Sequence, residues 1–178
     1  MSNNGRVIAA VRTDSEFELA LTTGAKLIFD LAPNINNISK RASDAHALGK
    51  SYLIHMDLAE GIGKDRYGIE YVKKCGVVGI ISTRVNIIKA SRELGLNTVQ
   101  RFFIVDSHSL DTTVEAIKSS KPDMIEVMPG IAPKIIRDLK DKVNMPIIAG
   151  GLIEDVSEVK MAIESGAYAV STGKTDLW

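Results

Sequence analysis

The sequence predicts an α/β fold: a compact (β/α)8 TIM-type barrel whose eighth helix is truncated or absent. Three observations predict it. Eight short apolar runs alternate with polar, periodic segments along the 178 residues. The starts of these runs recur at about 20–25 residues, the length of one strand–helix unit. The runs mostly lack polar alternation, as parallel strands covered on both faces should. No Gly-rich dinucleotide fingerprint follows the first run, so closure into a barrel is favoured over an open doubly wound sheet.

The elements follow in order. The first strand is Arg6 to Val11, and Asp14 caps a helix over Phe17, Leu19, Ala20 and Leu21. Lys26 to Asp30 is the second strand; its helix, Asn36 to Leu48, stops at Gly49. Ser51 to Asp57 is the third strand, followed by Asp65 to Cys75 and Gly76. Val77 to Ser82 precedes a helix from Asn86 to Leu94 that ends at Gly95. Thr98 to Val105 leads to Ser107 to Ser119, which halts before Lys121-Pro122. Met124 to Met128 is followed by a helix with Pro133 in its first turn, running to Lys142. Met145 to Ala149 precedes Glu154 to Ser165, closed by Gly166. The eighth strand, Ala167 to Ser171, leaves only Thr172 to Trp178 for a last helix. That shortage predicts an uncovered flank, for which burial in a homo-oligomer is one remedy, with Trp178 packing the chain's end onto the barrel or a neighbour. No linker or composition shift divides the chain, so one domain spans residues 1–178.

Composition narrows the class. Hydrophobic residues at 45% and charged residues at 25% describe an ordinary globular protein. No run is long enough to cross a bilayer, so no membrane partner is expected. The start, Met1 to Arg6, lacks the apolar core of a secretory signal. The single Cys75 excludes an internal disulfide, fits a reducing cytoplasm, and reads as a small buried hydrophobe. Lys+Arg and Asp+Glu both number 22, which speaks against a free-standing nucleic-acid binder. Helices can still segregate charge that the total conceals.

In such barrels ligands bind where strands end and loops begin. The ends of strands seven and eight read Gly150-Gly151 and Ser171-Thr172-Gly173-Lys174. Bare glycine N–H groups, two hydroxyls and an ammonium are what a phosphate needs. The plainer reading is tight turns. Inside otherwise apolar strands stand His55, Asp57, Arg101 and Glu126, and burying a charge without a partner is costly. They read either as a polar pocket for ligand hydroxyls or as an ion pair with a hydrogen-bonded histidine. His55 and Asp57, two apart, would share a strand face. A metal on His55, Asp57 and Glu126 has only a weak signature, and neither metal nor organic cofactor is expected.

The wording of the strand ends adds to this. Ile54-His-Met-Asp-Leu-Ala-Glu-Gly61, Gly79-Ile-Ile-Ser-Thr83, Gln100-Arg-Phe-Phe-Ile-Val-Asp-Ser107, Lys121-Pro-Asp-Met-Ile-Glu-Val-Met-Pro-Gly130, Ile147-Ile-Ala-Gly-Gly-Leu-Ile153 and the ending from Val170 to Trp178 resemble the glycerol-3-phosphate-responsive antiterminator family. The resemblance spans about Val7 to Trp178. It implies a bacterial cytoplasmic regulator, not an enzyme, that senses sn-glycerol 3-phosphate and acts on the mRNA leader of a glycerol uptake operon. It implies ligand-site roles for His55, Asp57, Glu60, Arg101, Asp106, Glu126, Gly130, Gly150, Gly151 and Ser171, with Asp30 a second-rank candidate. Arg84, Lys134 and Arg137 are the expected RNA contacts. The alternative is an isomerase, aldolase or phosphodiesterase on a small phosphorylated substrate, with Asp57 or Glu126 as base and His55 as acid.

Overall fold

The computed structural model describes residues 5–178; the expectation about the first residues of the chain falls partly on 1–4, outside them. Eight parallel strands close in sequence order into a barrel, β1 pairing with both β2 and β8. The elements are β1 (Val7–Val11), α1 (Asp14–Thr22), β2 (Leu27–Asp30), α2 (Ile38–Ala47), β3 (Ser51–His55), α3 (Arg66–Lys74), β4 (Gly79–Ser82), α4 (Val85–Glu93), β5 (Asn97–Phe103), α5 (Ser107–Ser120), β6 (Met124–Met128), α6 (Pro133–Lys140), β7 (Ile147–Gly150), α7 (Val156–Glu164) and β8 (Ala169–Thr172). No helix among the described residues is long and apolar enough to cross a membrane.

Local chemistry sets the boundaries. Thr13, not Asp14, caps α1: its hydroxyl accepts the Glu16 N–H while the Glu16 carboxylate accepts the Thr13 N–H, a reciprocal capping box. Asp106 and Ser109 form a second capping box at α5, while Asp65 and Asp155 cap α3 and α7 by accepting first-turn N–H groups. The largest departure is β3, which ends at His55; Met56–Leu58 is a 3-10 turn. Asp57 therefore does not share a strand face with His55.

The core has an inside and an outside. Ile8, Ala10, Phe29, Leu53, Ile81, Val99, Ile148 and Ala169 fill the lumen. Outside the wall, Phe17, Ile28, Tyr52, Ile54 and Ile80 pack under α1–α4, and Ile125, Val127, Ile136, Leu139 and Ile147 under α5–α7. Cys75 is half-buried against the first of these outer clusters. In place of an eighth helix the chain makes one 3-10 turn, Thr175–Leu177. Trp178 packs against both outer clusters, and its indole N–H donates to the Thr172 carbonyl at 2.8 Å. One aromatic thus bridges the seam that a helix covers elsewhere around the barrel.

Candidate ligand site

The lumen changes character toward its C-terminal end. Side chains alternate along a strand, and Leu53, Val99, Met124, Ile148 and Ala169 belong to the apolar filling. Two residues further along the same strands stand His55, Arg101, Glu126, Gly150 and Ser171. Register sets Arg101 beside Glu126 and Gly150 beside Ser171.

Arg101 Nε donates to Glu126 Oε2 at 2.6 Å, with the two side chains 6% and 0% exposed. The Ser171 hydroxyl donates to the other Glu126 oxygen. Gly150 makes room for that carboxylate: a Cβ there would lie 2.5 Å from Glu126 Oε1 and 2.7 Å from Ser171 Oγ. The Gly130 N–H donates to the Gly150 carbonyl at 2.6 Å, and a Cβ on Gly130 would lie 2.8 Å from Gly150 N. Neither glycine lines the cleft; both permit close packing of strand ends. Two polar atoms of this layer stay incomplete. Arg101 Nη2 and His55 Nδ1 are buried without a hydrogen-bond partner among the described residues. Burial, and next the Arg101 charge, push the His55 imidazole down to about 4, so it is neutral at pH 7.

Above this layer a cleft of about 330 Å³ opens at the ends of β1, β7 and β8. Gly151, Ser171, Thr172 and Gly173 line it, with Arg12, Arg101 and Lys174 as cations and Glu154 as its one carboxylate. A Cβ on Gly173 would lie 3.6 Å from Arg12 Nη1, so that guanidinium stands beside the loop expected to hold phosphate. The Thr172 hydroxyl donates to the Ile153 carbonyl at 2.7 Å and accepts the Lys174 N–H at 3.0 Å, tying the two loops together. Gly151 has φ +77°, which L side chains adopt only with strain, and the neighbouring Leu152 holds φ +61° while 66% exposed.

Other sequence-derived candidates lie elsewhere. Asp57 accepts from Ser82 Oγ at 2.7 Å, from Thr83 N at 2.8 Å and from Thr83 Oγ1 at 2.9 Å, with Arg84 Nε at 3.7 Å. Burial alone would raise its carboxyl, but these donors outweigh burial and hold it below the usual carboxylate range. It organises the head of α4 and does not line the cleft. His55, Asp57 and Glu126 form no metal-holding group among the described residues. Asp30 turns outward and is bound to Arg41 and Tyr52. Glu60 is exposed; its backbone pairs with Pro33 and Ile35. Asp106 caps α5, its carboxylate accepting the Ser109 N–H at 2.7 Å.

The expected RNA contacts do not form one patch. Arg84 stands at the head of α4, Lys134 and Arg137 lie on α6, and α5 intervenes in the barrel order. Lys134 pairs with Asp138 at 2.5 Å, and Arg137 donates to Ser165 Oγ at 3.3 Å. Arg12 is the cleft residue that the sequence reading overlooked. The strand-end rule, applied to the first strand as to the others, would have found it.

The family model described as glycerol-3-phosphate responsive antiterminator matches residues 7–178. The uncharacterized protein YgcP of Escherichia coli strain K12 is 37% identical over 173 residues, covering 97% of this chain and 91% of that protein. The crystal structure of a glycerol uptake operon antiterminator regulatory protein from Listeria monocytogenes superposes with TM-score 0.92 at 34% identity, over 100% of this chain and 96% of that one. A glycerol uptake operon antiterminator-related protein from Thermotoga maritima gives 0.86 at 29% identity, over 97% and 96%.

Proposed function

We propose, from the premise that this chain belongs to the glycerol-3-phosphate responsive antiterminator family, that it is an RNA-binding regulator gated by sn-glycerol 3-phosphate. The observation that carries the ligand half is the cleft's charge: with Arg101 balanced by Glu126 beneath, two cations, Arg12 and Lys174, face one carboxylate, Glu154. A phosphate dianion belongs at the rim, between Arg12, Lys174 and the Gly151 and Gly173 loops. The glycerol hydroxyls point down to Arg101, whose Nη2 lacks a partner. Glu126 already balances the Arg101 charge, so this deeper end suits neutral hydroxyls better than a second anion.

The same lining argues against the enzyme reading. Acid–base chemistry needs two titratable groups flanking one reacting position. His55, Asp57 and Glu126, the acid–base candidates, do not line the cleft; of the described residues that do, Glu154 and Lys174 are the groups of acid–base type, and neither stands on a barrel strand. No lysine occurs in any of the eight strands.

Gating requires that the effector prefer the RNA-competent state. Bridging β1, β7 and β8 loops across the seam is a means to that preference, because the bound phosphate orders all three together. Titration of the operon leader transcript at fixed salt, with and without sn-glycerol 3-phosphate, tests the reading. A coupling of about 1–3 kcal/mol changes RNA affinity about 5–150-fold. RNA affinity that does not move while the effector binds sinks the gating model.

A further inference from the structure

The zero net charge conceals strong segregation. Residues 61–100 carry seven Lys/Arg against three Asp/Glu, while the rest of the chain carries fifteen against nineteen. That cationic stretch folds as α3, β4 and α4, across the barrel from the β8–β1 seam. Its few acids are committed locally. Asp65 caps α3 through the Gly68 N–H, and Glu70 and Glu93 both pair with Arg66. Lys74, Lys89 and Arg92 are exposed and make no ion pair among the described residues. Lys89 and Arg92 share a shallow groove with Lys121, which stands just past the end of α5.

A second observation lies on the same sector. Tyr67 is 79% exposed and Tyr71 39%. Four residues apart on α3, they share one helix face, and Lys74 continues the stripe one turn on. Exposed aromatic rings beside unpaired cations are what a single strand of RNA uses: bases stack on the rings and phosphates meet the cations. An acidic protein surface would pair with the cations and bury the rings too; cross-linking to nucleotide separates that partner from RNA.

We propose that the outer face of α3 and α4, with Tyr67, Tyr71, Lys74, Lys89 and Arg92, is the surface that holds single-stranded RNA. The inference rests on the RNA-binding reading above and moves the contact away from α6. On α6, Lys134 is paired with Asp138 and Arg137 donates to Ser165 Oγ, so these cations are less available to phosphate than Lys74, Lys89 and Arg92. The placement puts effector and RNA on opposite sides of the barrel. Ser171, at the cleft, holds Glu126, which holds Arg101. On the RNA side Asp57 separately organises Ser82 and Thr83 at the head of α4.

The test is ultraviolet cross-linking of the full-length protein in its native cells, with nucleotide-bearing peptides mapped by mass spectrometry. Cross-links at Tyr67 or Tyr71 are expected. Cross-links confined to α6 or another part of the chain overturn the surface and leave the RNA reading standing. Absence of any cross-link overturns the RNA reading and the surface with it. Salt titration with a short mixed-sequence single-stranded RNA provides the second measurement. Lys74→Glu/Lys89→Glu/Arg92→Glu removes three phosphate contacts and should make the log–log salt slope shallower by about 2. Tyr67→Ala and Tyr71→Ala should each weaken binding about 5-fold or more. All five side chains are exposed, so the melting temperature should hold. An unchanged slope together with unchanged affinity overturns the assignment.

Discussion

Arg41 and Arg101 each bury a guanidinium against a carboxylate, one outside the barrel wall and one inside it. Arg41 Nη1 donates to Asp30 at 2.5 Å, its Nη2 donates to Asp14 at 2.5 Å, and the plane lies 5.1 Å from the Phe17 ring centroid. Asp30 in turn accepts from the Tyr52 hydroxyl and the Ala32 N–H, so both its oxygens are used. Arg101 makes one bond to Glu126 and leaves Nη2 buried without a partner, close enough to His55 to depress it. The closed network holds α1 and α2 onto β2. The open one lies beneath a cleft and has bonding capacity to spare. Buried polar groups are nearly always satisfied; Arg101 Nη2 and His55 Nδ1 depart from this beneath the cleft, as Ser91 Oγ and Gln100 Nε2 do elsewhere, and it is the place under the cleft that marks the first two for a ligand.

The largest expected effect breaks the closed network. Arg41→Ala leaves Asp30 charged and buried without its counter-ion, and should cost about 3–5 kcal/mol of unfolding free energy in a denaturant titration. Effector affinity of the folded fraction should not change, because Asp30 and Arg41 lie outside the lumen. Arg101→Met is the paired measurement. Glu126 keeps its bond from Ser171 but loses its counter-ion, so this variant is destabilised as well, and its folded fraction should lose effector affinity tenfold or more. If Arg41→Ala abolishes binding and Arg101→Met does not, the division between a structural and a ligand-binding pair is wrong.

The next effect is a pH dependence. His55 is neutral in the fold at about 4 but ordinary, near 6.5, when unfolded. The unfolded chain therefore binds the extra proton first. Stability is complete above about pH 6.5 and falls as pH drops toward 4, by up to about 3 kcal/mol. Asp57 titrates below this window, because its hydrogen bonds hold it low. His55→Gln should flatten the profile between pH 6.5 and 4, followed by urea denaturation. An unchanged profile in that variant would place the acid sensitivity elsewhere.

The order of elements was legible because each buried parallel strand is a bare apolar run and each helix end carries its own chemical stop. Gly49, Gly76, Gly95 and Gly166 all take positive φ just past helices, where the sequence put the breaks. What could not be read was which face of a strand meets the lumen. Both faces of a covered strand are apolar, so parity is invisible until the barrel closes. Asp30 ends its strand as a ligand residue would, yet Phe29 took the lumen and Asp30 turned out toward Arg41. Alternation through His55 and Asp57 failed for a related reason: the polar pattern of a short 3-10 turn and of two more strand residues is the same. Arg101 and Glu126 were legible because no apolar environment tolerates either alone.

The adjacent glycines sharpen the comparison at its smallest scale. Gly150 is bare because Glu126 occupies the space beside it, so its role belongs to the ion pair. Gly151 is bare for another reason: its backbone is left-handed, and the nearest atoms a Cβ would meet belong to the Met128 side chain, from 3.5 Å outward, an ordinary contact. Gly151→Ala therefore forces nothing in the protein apart, and its cost is the left-handed backbone alone, about 1–2 kcal/mol. Any clash the new methyl group makes must be with a bound molecule, since the residue lines the cleft. Calorimetric titration with sn-glycerol 3-phosphate should show the affinity falling tenfold or more while the melting temperature drops only a few degrees. Should the affinity survive with the stability loss as expected, the phosphate does not sit against Gly151, and the rim formed by Arg12, Gly173 and Lys174 must hold it without that loop.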